Sequence, residues 1–204
     1  DGKMHVRIHG SRDYFRIKLK DNFSLELIPV IKVKNSGDAR NLTDLSYSHV
    51  KYINKKIKDK KILDEIMITK AFCYANKAYG AESYINGFSG YSLELLVYYY
   101  GSFLKFIKSI VKIKPNEQVI IDIEKHYKNK QNILMDMNSS KLQSPIVLVD
   151  PMFKQRNASA ALSKETFEKF KETCANFIKN PSSNFFELQK TDLEEIKQNA
   201  EKKE

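Results

Sequence analysis

The stretch AESYINGFSGYSLELLVYYYGSF, Ala81–Phe103, carries the clearest structural signal in the chain. Gly87 and Gly90 flank a phenylalanine and a serine before an apolar run, and Gly101 follows that run. Glycine lets a backbone turn sharply or approach a ligand closely, and free N–H groups at a helix start attract phosphate. The stretch predicts a loop that enters a helix, which ends at Gly101 before a second helix, SFLKFIKSIVKI.

Before this stretch, the spacing of apolar residues changes from a strand-like alternation to a helical pattern. From Tyr14 to Lys34 apolar and polar residues alternate around Asp21 and Asn22, which predicts a β-hairpin. From Ser48 onward HVKYINKKIKDKK and ILDEIMITKAFCYANKA predict two helices with a charged break between them. Since the second is apolar nearly all round, we expect it to be a central, buried helix.

The residues after this stretch mix strands and helices. EQVIIDIEKHY contains a short strand pattern, and SPIVLVDP, from Ser144 to Pro151, predicts a buried strand. LSKETFEKFKETCANFIKN predicts a helix capped by Ser163, and a charged tail follows. Helices and strands together predict an α+β fold.

Composition narrows the class of protein. The 204 residues are 42% hydrophobic, which is typical of a globular chain, and their net charge of +10 favours polyanionic partners such as nucleic acids or nucleotide phosphates. No apolar run approaches the roughly 18 residues that a membrane span needs. The sequence therefore predicts no membrane association. Cys73 and Cys174 each lie in a helical apolar pattern, so we expect two buried reduced thiols and a cytoplasmic location.

Two charged residues lie where charge is costly or informative. Lys70 has almost only apolar neighbours in EIMITKAFCYA, and a phosphate would neutralise it well. The alternative is a lysine that extends to the surface and pairs with Asp64 or Glu65. Glu26 lies mid-strand in SLELIP, where it is either part of a solvated sheet face or a ligand for Mg²⁺ beside a nucleotide.

Other candidates have equally ordinary alternatives. His49 falls at a helix start and could simply cap or pack. Arg156 and Asn157 follow the predicted strand, where their planar donor arrays suit base edges, although a plain connecting loop looks the same. The repeated tyrosines of the opening stretch could stack on bases or form core with one wet end. None of these residues decides the function alone.

Taken in order, the motifs resemble those of the archaeal (class I) CCA-adding enzymes, tRNA nucleotidyltransferases of the polymerase-β superfamily. The resemblance rests on YGAE, GFSGY, ELL and YGSF, followed by a D-P step and RNASAALS, and it extends roughly over residues 14–186. It implies remaining palm strands of an antiparallel polymerase-β-type sheet (1–40), a mainly helical nucleotide- and RNA-binding domain (41–140), a strand with a base-reading loop and helix (141–186) and a charged tail (187–204).

Carried over residue by residue, the resemblance implies one shared site. His49, Lys70 and Tyr79 match residues that hold the triphosphate and ribose of the incoming CTP or ATP, and Arg156 matches an arginine that selects the base. Glu26 matches the third Mg²⁺-binding, catalytic carboxylate. The resemblance also implies weaker RNA or phosphate contacts, which are Ser89, Gly90, Tyr91 and Asn157.

Three departures from the family pattern limit this expectation. The family's first two carboxylates lie in a G-S…D-x-D module, whereas Gly10-Ser11 is followed here by RDYFRIKLKD without paired aspartates. The third carboxylate is an aspartate in the family, and Glu26 is one methylene longer. LSYSH also lacks the family's proline before His49. We therefore expect a tRNA 3′-end-binding part that needs a catalytic head, supplied by a second chain or by missing sequence; the alternative is a non-catalytic binding module.

Overall fold

The computed structural model describes residues 5–9, 13–19, 23–33 and 38–188. The chain divides into two compact units, Asp1–Lys56 and Ile57–Glu204. Both units contain strands and helices, so the predicted α+β class is confirmed. The expected boundaries after residues 40, 140 and 186 stay predictions, and most of the charged tail lies outside the described residues.

The first unit begins with a three-stranded antiparallel sheet in the order β1 (His5–Ile8), β2 (Tyr14–Lys18) and β3 (Ser24–Leu27). The predicted pairing of β2 with β3 is confirmed, while its turn residues Asp21 and Asn22 lie outside the described residues. The sequence reasoning missed β1. The pairing sets Arg16 opposite Glu26 on one face and Phe15 opposite Leu27 on the other.

The apolar face of this sheet is open. Phe15, Leu25 and Leu27 are 39%, 46% and 59% exposed, although alternation places all three on one side. A short 3₁₀ turn (Leu42–Leu45) and α1 (Ser46–Lys56) complete the unit. Buried Asp44 fixes the approach to α1, because its carboxylate accepts the backbone N–H groups of Ile31 and Arg40 at 2.8 and 3.1 Å.

Four longer helices build the second unit. They are α2 (Lys60–Ala75), α3 (Gly90–Tyr100), α4 (Phe103–Lys112) and α6 (Lys164–Lys179). Each begins at a polar residue whose side chain accepts a backbone N–H of the first turn: Asp59, Ser89, Ser102 and Ser163. Gly101 ends α3 in the left-handed conformation, with φ of 84°, as the sequence predicted.

The core of this unit is aromatic. Phe72 of α2 is fully buried, and its ring centroid lies 5.1 Å from that of Phe103 and 5.3 Å from that of Phe177. The expectation of a central, buried α2 holds for one face only, because Phe72 lies in the core whereas Met67 is 69% exposed. The helix that lies deepest is α3, whose leucines have no exposed surface.

A second sheet completes the unit: β4 (Val119–Ile121) runs parallel to β5 (Ile146–Asp150), and β5 antiparallel to β6 (Phe153–Asn157). Every residue of β5 is buried, and α5 (Lys130–Asp136) packs Ile133 against it. The strands predicted at β4 and β5 are confirmed, as are the two buried free thiols. In the described residues, no helix is long and apolar enough to cross a membrane.

Candidate nucleotide site at the start of α3

The loop before α3 is shaped by a close backbone approach. Tyr79 and Phe88 form a parallel bridge, in which Gly80 N donates to Phe88 O and Phe88 N to Ala78 O, both at 2.8 Å. A Cβ on Gly87 would lie 2.3 Å from the carbonyl oxygen of Ala78, so only glycine fits. Buried Phe88 anchors this loop in the core.

Tyr79 and Lys70 converge on the first turn of α3. A Cβ on Gly90 would lie 2.9 Å from the Tyr79 hydroxyl oxygen and 3.8 Å from Lys70 Nζ. Gly90 therefore leaves room for both groups beside the helix start, where the N–H groups and the helix dipole favour anions. Ser89 caps this turn by accepting the N–H of Ser92 at 3.1 Å.

The partner of Lys70 is Glu94, at 2.6 Å between Nζ and Oε1. The pair is mostly buried, with side-chain exposures of 30% and 25%. The predicted alternative, a pairing with Asp64 or Glu65, is wrong, since Glu65 instead accepts the N–H of Phe103 at 2.8 Å. Sequence reasoning missed Glu94, although a lysine among apolar residues already signalled that a carboxylate must face it.

The ring of Tyr79 faces an open groove. Tyr74, Tyr84 and Lys77 line the same groove, and the ring centroids of Tyr74 and Tyr79 are 6.3 Å apart. The Tyr79 hydroxyl thus lies beside Gly90, and Tyr79 also lines the open groove. This arrangement suits a side chain that contacts the sugar or base of a ligand.

Arg156 is held by a fully buried aspartate. Its Nη1 donates to Asp150 Oδ2 at 2.5 Å, and its guanidinium lies over the ring of Tyr91, 5.9 Å from the centroid. Asp150 also accepts from the Tyr91 hydroxyl at 3.1 Å and from Met152 N at 2.8 Å. Because Tyr91 belongs to the first turn of α3, Asp150 joins Arg156 to the helix end where Lys70 and Tyr79 meet.

Asn157 has a structural role here. It is buried, its Oδ1 accepts the N–H groups of Leu148 and Ser159, and its Nδ2 donates to the carbonyl of Lys141. An RNA contact through this amide, which the resemblance implies, would require these bonds to break. Asn157, the second residue of RNASAALS, thus fixes the shape of this connection.

The remaining predicted residues lie in the first unit. Glu26 accepts from Arg16 Nη2 at 2.7 Å and from Nε at 3.0 Å, and both side chains are more than 40% exposed. The hydrogen bond to Glu26 raises the pKa of Arg16. His49 is buried on α1 together with Tyr52. No three His, Cys, Asp or Glu side chains in the described ranges are grouped so that they could hold a metal ion.

The family of the chain follows from its comparison with known proteins. Residues 64–187 match the model of the tRNA nucleotidyltransferase second domain, more than half of the chain. The chain belongs to the tRNA nucleotidyltransferase family through this domain. The matched region contains Lys70, Tyr79 and Arg156, whereas Glu26 and His49 precede it.

Two archaeal CCA-adding enzymes are among the proteins that the chain resembles in sequence. The chain is 37% identical to the CCA-adding enzyme of Nanoarchaeum equitans over 163 residues, which is 80% of this chain and 40% of that enzyme. It is 33% identical to the CCA-adding enzyme of Methanosarcina mazei over 178 residues, 87% of this chain and 36% of that enzyme. The sequence therefore spans two fifths or less of the length of these relatives, and the resemblance to CCA-adding enzymes is confirmed.

Solved structures share the fold. A cytoplasmic RNA terminal U-transferase matches with a TM-score of 0.63 at 12% identity, over 93% of this chain and 74% of that one. The Cid1 poly(U) polymerase matches with a TM-score of 0.58, also at 12% identity, over 92% and 72% of the two chains. The chain therefore shares the fold of these two structures over most of its length.

Proposed function

We propose that this chain is the nucleotide- and tRNA-binding part of a CCA-adding-type nucleotidyltransferase, which adds CMP and AMP to the 3′ ends of tRNA in the cytoplasm. The observation that carries the proposal is the convergence of Lys70 and Tyr79 on the first turn of α3. An ammonium, a phenol and a helix start at one place form a site for a nucleotide's anionic end.

Lys70 would bind the triphosphate of CTP or ATP without abandoning Glu94. An ammonium has three donors, and Glu94 engages one of them, so two stay available for phosphate oxygens. Glu94 also keeps the nearly buried ammonium in one position before the ligand arrives. The proposal gives Tyr79 the ribose, and Gly90 and Ser89 the phosphate-facing backbone. His49 of the first unit stays a separate proposal, a contact to nucleotide phosphate.

Arg156 would select the base. Its planar donors suit the acceptor atoms of cytosine and adenine edges, and Asp150 and Tyr91 hold the guanidinium in place. Tyr91 thereby supports the base-reading residue rather than meeting RNA directly. In the intact assembly, the 3′ oxygen of the RNA attacks the α-phosphorus, the bond to the bridging oxygen breaks, and pyrophosphate leaves.

Glu26 would contribute one carboxylate to Mg²⁺ binding. The described residues alone do not form a two-metal site, and Arg16 occupies Glu26, so no step is drawn through the metal. We propose that the other two carboxylates belong to a G-S…D-x-D module, supplied either by a second chain or by further sequence of the same protein. The open apolar face of the β1–β3 sheet supports this, because such a face needs a covering layer.

Variants of two residues test the binding site. We expect Lys70→Ala and Arg156→Ala each to weaken CTP binding by roughly tenfold or more, the size of a lost charged hydrogen bond. Lys130→Ala, which removes an exposed charge on α5, is the matched control and should leave the affinity unchanged. Unchanged affinity in both site variants would refute the assignment.

The second candidate is a non-catalytic nucleotide- or RNA-binding module, which the engagement of Glu26 by Arg16 favours. Reconstitution separates the two. A separately expressed chain with the D-x-D module should restore nucleotide transfer in the first case and leave the mixture inactive in the second. Glu26→Gln in the active mixture should then abolish transfer, because the third carboxylate would be missing.

A further inference from the structure

Helix α4 has one apolar face and one face of lysines. Its sequence, FLKFIKSIVK, buries Phe103, Phe106, Ile107 and Ile110. Its exposed face carries Lys105, Lys108 and Lys112, spaced three and four positions apart, which places them in one row along the helix. The row is about 10 Å long at 1.5 Å per residue.

The lysine row is not neutralised. Across residues 38–188, no carboxylate oxygen forms an ion pair with any of the three ammonium groups, and α4 itself contains no acidic residue. Two glutamates of the neighbouring helices α2 and α3 are engaged elsewhere, since Glu65 accepts the N–H of Phe103 and Glu94 holds Lys70. The row is therefore an uncompensated line of positive charge on one face of the helix.

We infer that the lysine row of α4 is the docking surface for the phosphate backbone of a double-stranded RNA stem. This inference rests on the proposed function, which places a tRNA on the chain. Single strands are bound through aromatic stacking in addition to charge, but α4 exposes only Leu104 beside its lysines. A duplex is recognised chiefly through its shape and phosphates, and a straight row of lysines presents no base-reading group.

The position of α4 fits this role. It begins directly after α3 ends at Gly101, and Lys105 Nζ lies 3.9 Å from the Cβ that a substituted Gly101 would carry. The nucleotide site lies at the other end of α3, about 16 Å away for 11 residues. A stem on α4 would thus sit apart from the site and leave its single-stranded 3′ end free to reach it.

The test uses the full chain and two RNAs: a hairpin with a single-stranded 3′ end, and an unstructured strand of equal length. A triple variant carries Lys105→Gln, Lys108→Gln and Lys112→Gln. A control variant carries Lys125→Gln, Lys128→Gln and Lys130→Gln, which removes the same charge from exposed positions outside α4. The Kd of each RNA is measured against salt concentration, together with the Kd of CTP.

We expect the α4 variant to lower the salt dependence of hairpin binding by about two to three in the log–log slope, about one per lysine. The control should change the slope by less than one, and CTP binding should stay at the wild-type level. Equal losses in both variants would show that net charge alone governs binding. Equal losses for hairpin and single strand, an unaltered slope, or no binding of either RNA by the wild type would each overturn the inference.

Discussion

The two three-stranded sheets of this chain contrast sharply in what covers them. β5 of the second sheet is buried at every residue, with Ile133 of α5 packed on it. The β1–β3 sheet has an equally apolar face, yet Leu27 is 59% exposed. Apolar residues alone therefore do not make a core, because a sheet face also needs a second layer. The second sheet has such a layer, whereas the apolar face of the β1–β3 sheet stays exposed.

The largest expected difference is between one substitution in the aromatic core and one on the open sheet face. Phe72→Ala should lower the free energy of unfolding by about 3–5 kcal/mol, since the ring is fully buried among other aromatic rings. Leu25→Ala on the open sheet face should cost less than about 1 kcal/mol, because the side chain is 46% exposed. Urea denaturation measures both, and a cost for Leu25→Ala equal to that of Phe72→Ala would remove the contrast.

The ion pairs of Asp150 and Glu26 differ in burial, so their loss should affect stability to different degrees. Asp150→Asn should cost about 3 kcal/mol, because Asp150 is fully buried and the change leaves Arg156 without its counter-charge. Glu26→Gln should cost less than about 1 kcal/mol, since its pair with Arg16 is exposed. The two variants are compared in one denaturation series. Equal costs would contradict the contrast between a buried ion pair in the second unit and an exposed ion pair in the first.

Substitutions of Gly87 and Gly90 should affect stability and nucleotide binding to different degrees. Gly87→Ala should lower the free energy of unfolding by about 1–3 kcal/mol, because its Cβ would meet the Ala78 backbone at 2.3 Å. In Gly90→Ala the new Cβ would lie 2.9 Å from the Tyr79 hydroxyl oxygen, and the Tyr79 side chain can shift to make room. This variant should therefore weaken CTP binding more than it lowers the free energy of unfolding. Calorimetry and denaturation together test the pair, and the reverse pattern would place the nucleotide elsewhere.

The smallest predicted effect is a pH dependence from the thiols. Burial raises the pKa of Cys73 and of Cys174, so the folded chain keeps both protonated where the unfolded chain ionises them. The free energy of unfolding should be flat with pH below about 8 and fall above about 8.5, the ordinary thiol pKa. Denaturation between pH 7.5 and 9.5 measures the slope. A Cys73→Ala, Cys174→Ala double variant should lose it, and an unchanged slope in that variant would assign the effect to other groups.

Local patterns predicted most of the fold. Ser163 and the apolar stripe after it predicted α6, and the apolar run before Asp150 predicted β5. The four-residue strand β1 was missed, because so short a segment shows too few alternations. The burial of α2 was overestimated, because composition alone does not show which face of an apolar helix packs against another element.

The candidate site was predicted only in part. Lys70, Tyr79 and Arg156 stood out as unusual residue types in their local setting, and the structure brings Lys70 and Tyr79 to one helix turn. Their partners Glu94 and Asp150 stayed unrecognised, because long-range pairing depends on the packing of helices and strands that no local pattern contains. Asn157 was predicted as a ligand because it is polar, but its amide is hydrogen-bonded to the backbone of Leu148 and Lys141.

The most direct test of the central claim is a calorimetric titration of the chain with CTP, ATP, GTP and UTP. Mg²⁺ is present throughout, and each titration is repeated with a tRNA that ends just before its CCA sequence. If Lys70, Tyr79 and Arg156 form one nucleotide site, CTP and ATP should bind more tightly than GTP and UTP. No binding, or equal binding of all four nucleotides with and without the tRNA, would contradict the account.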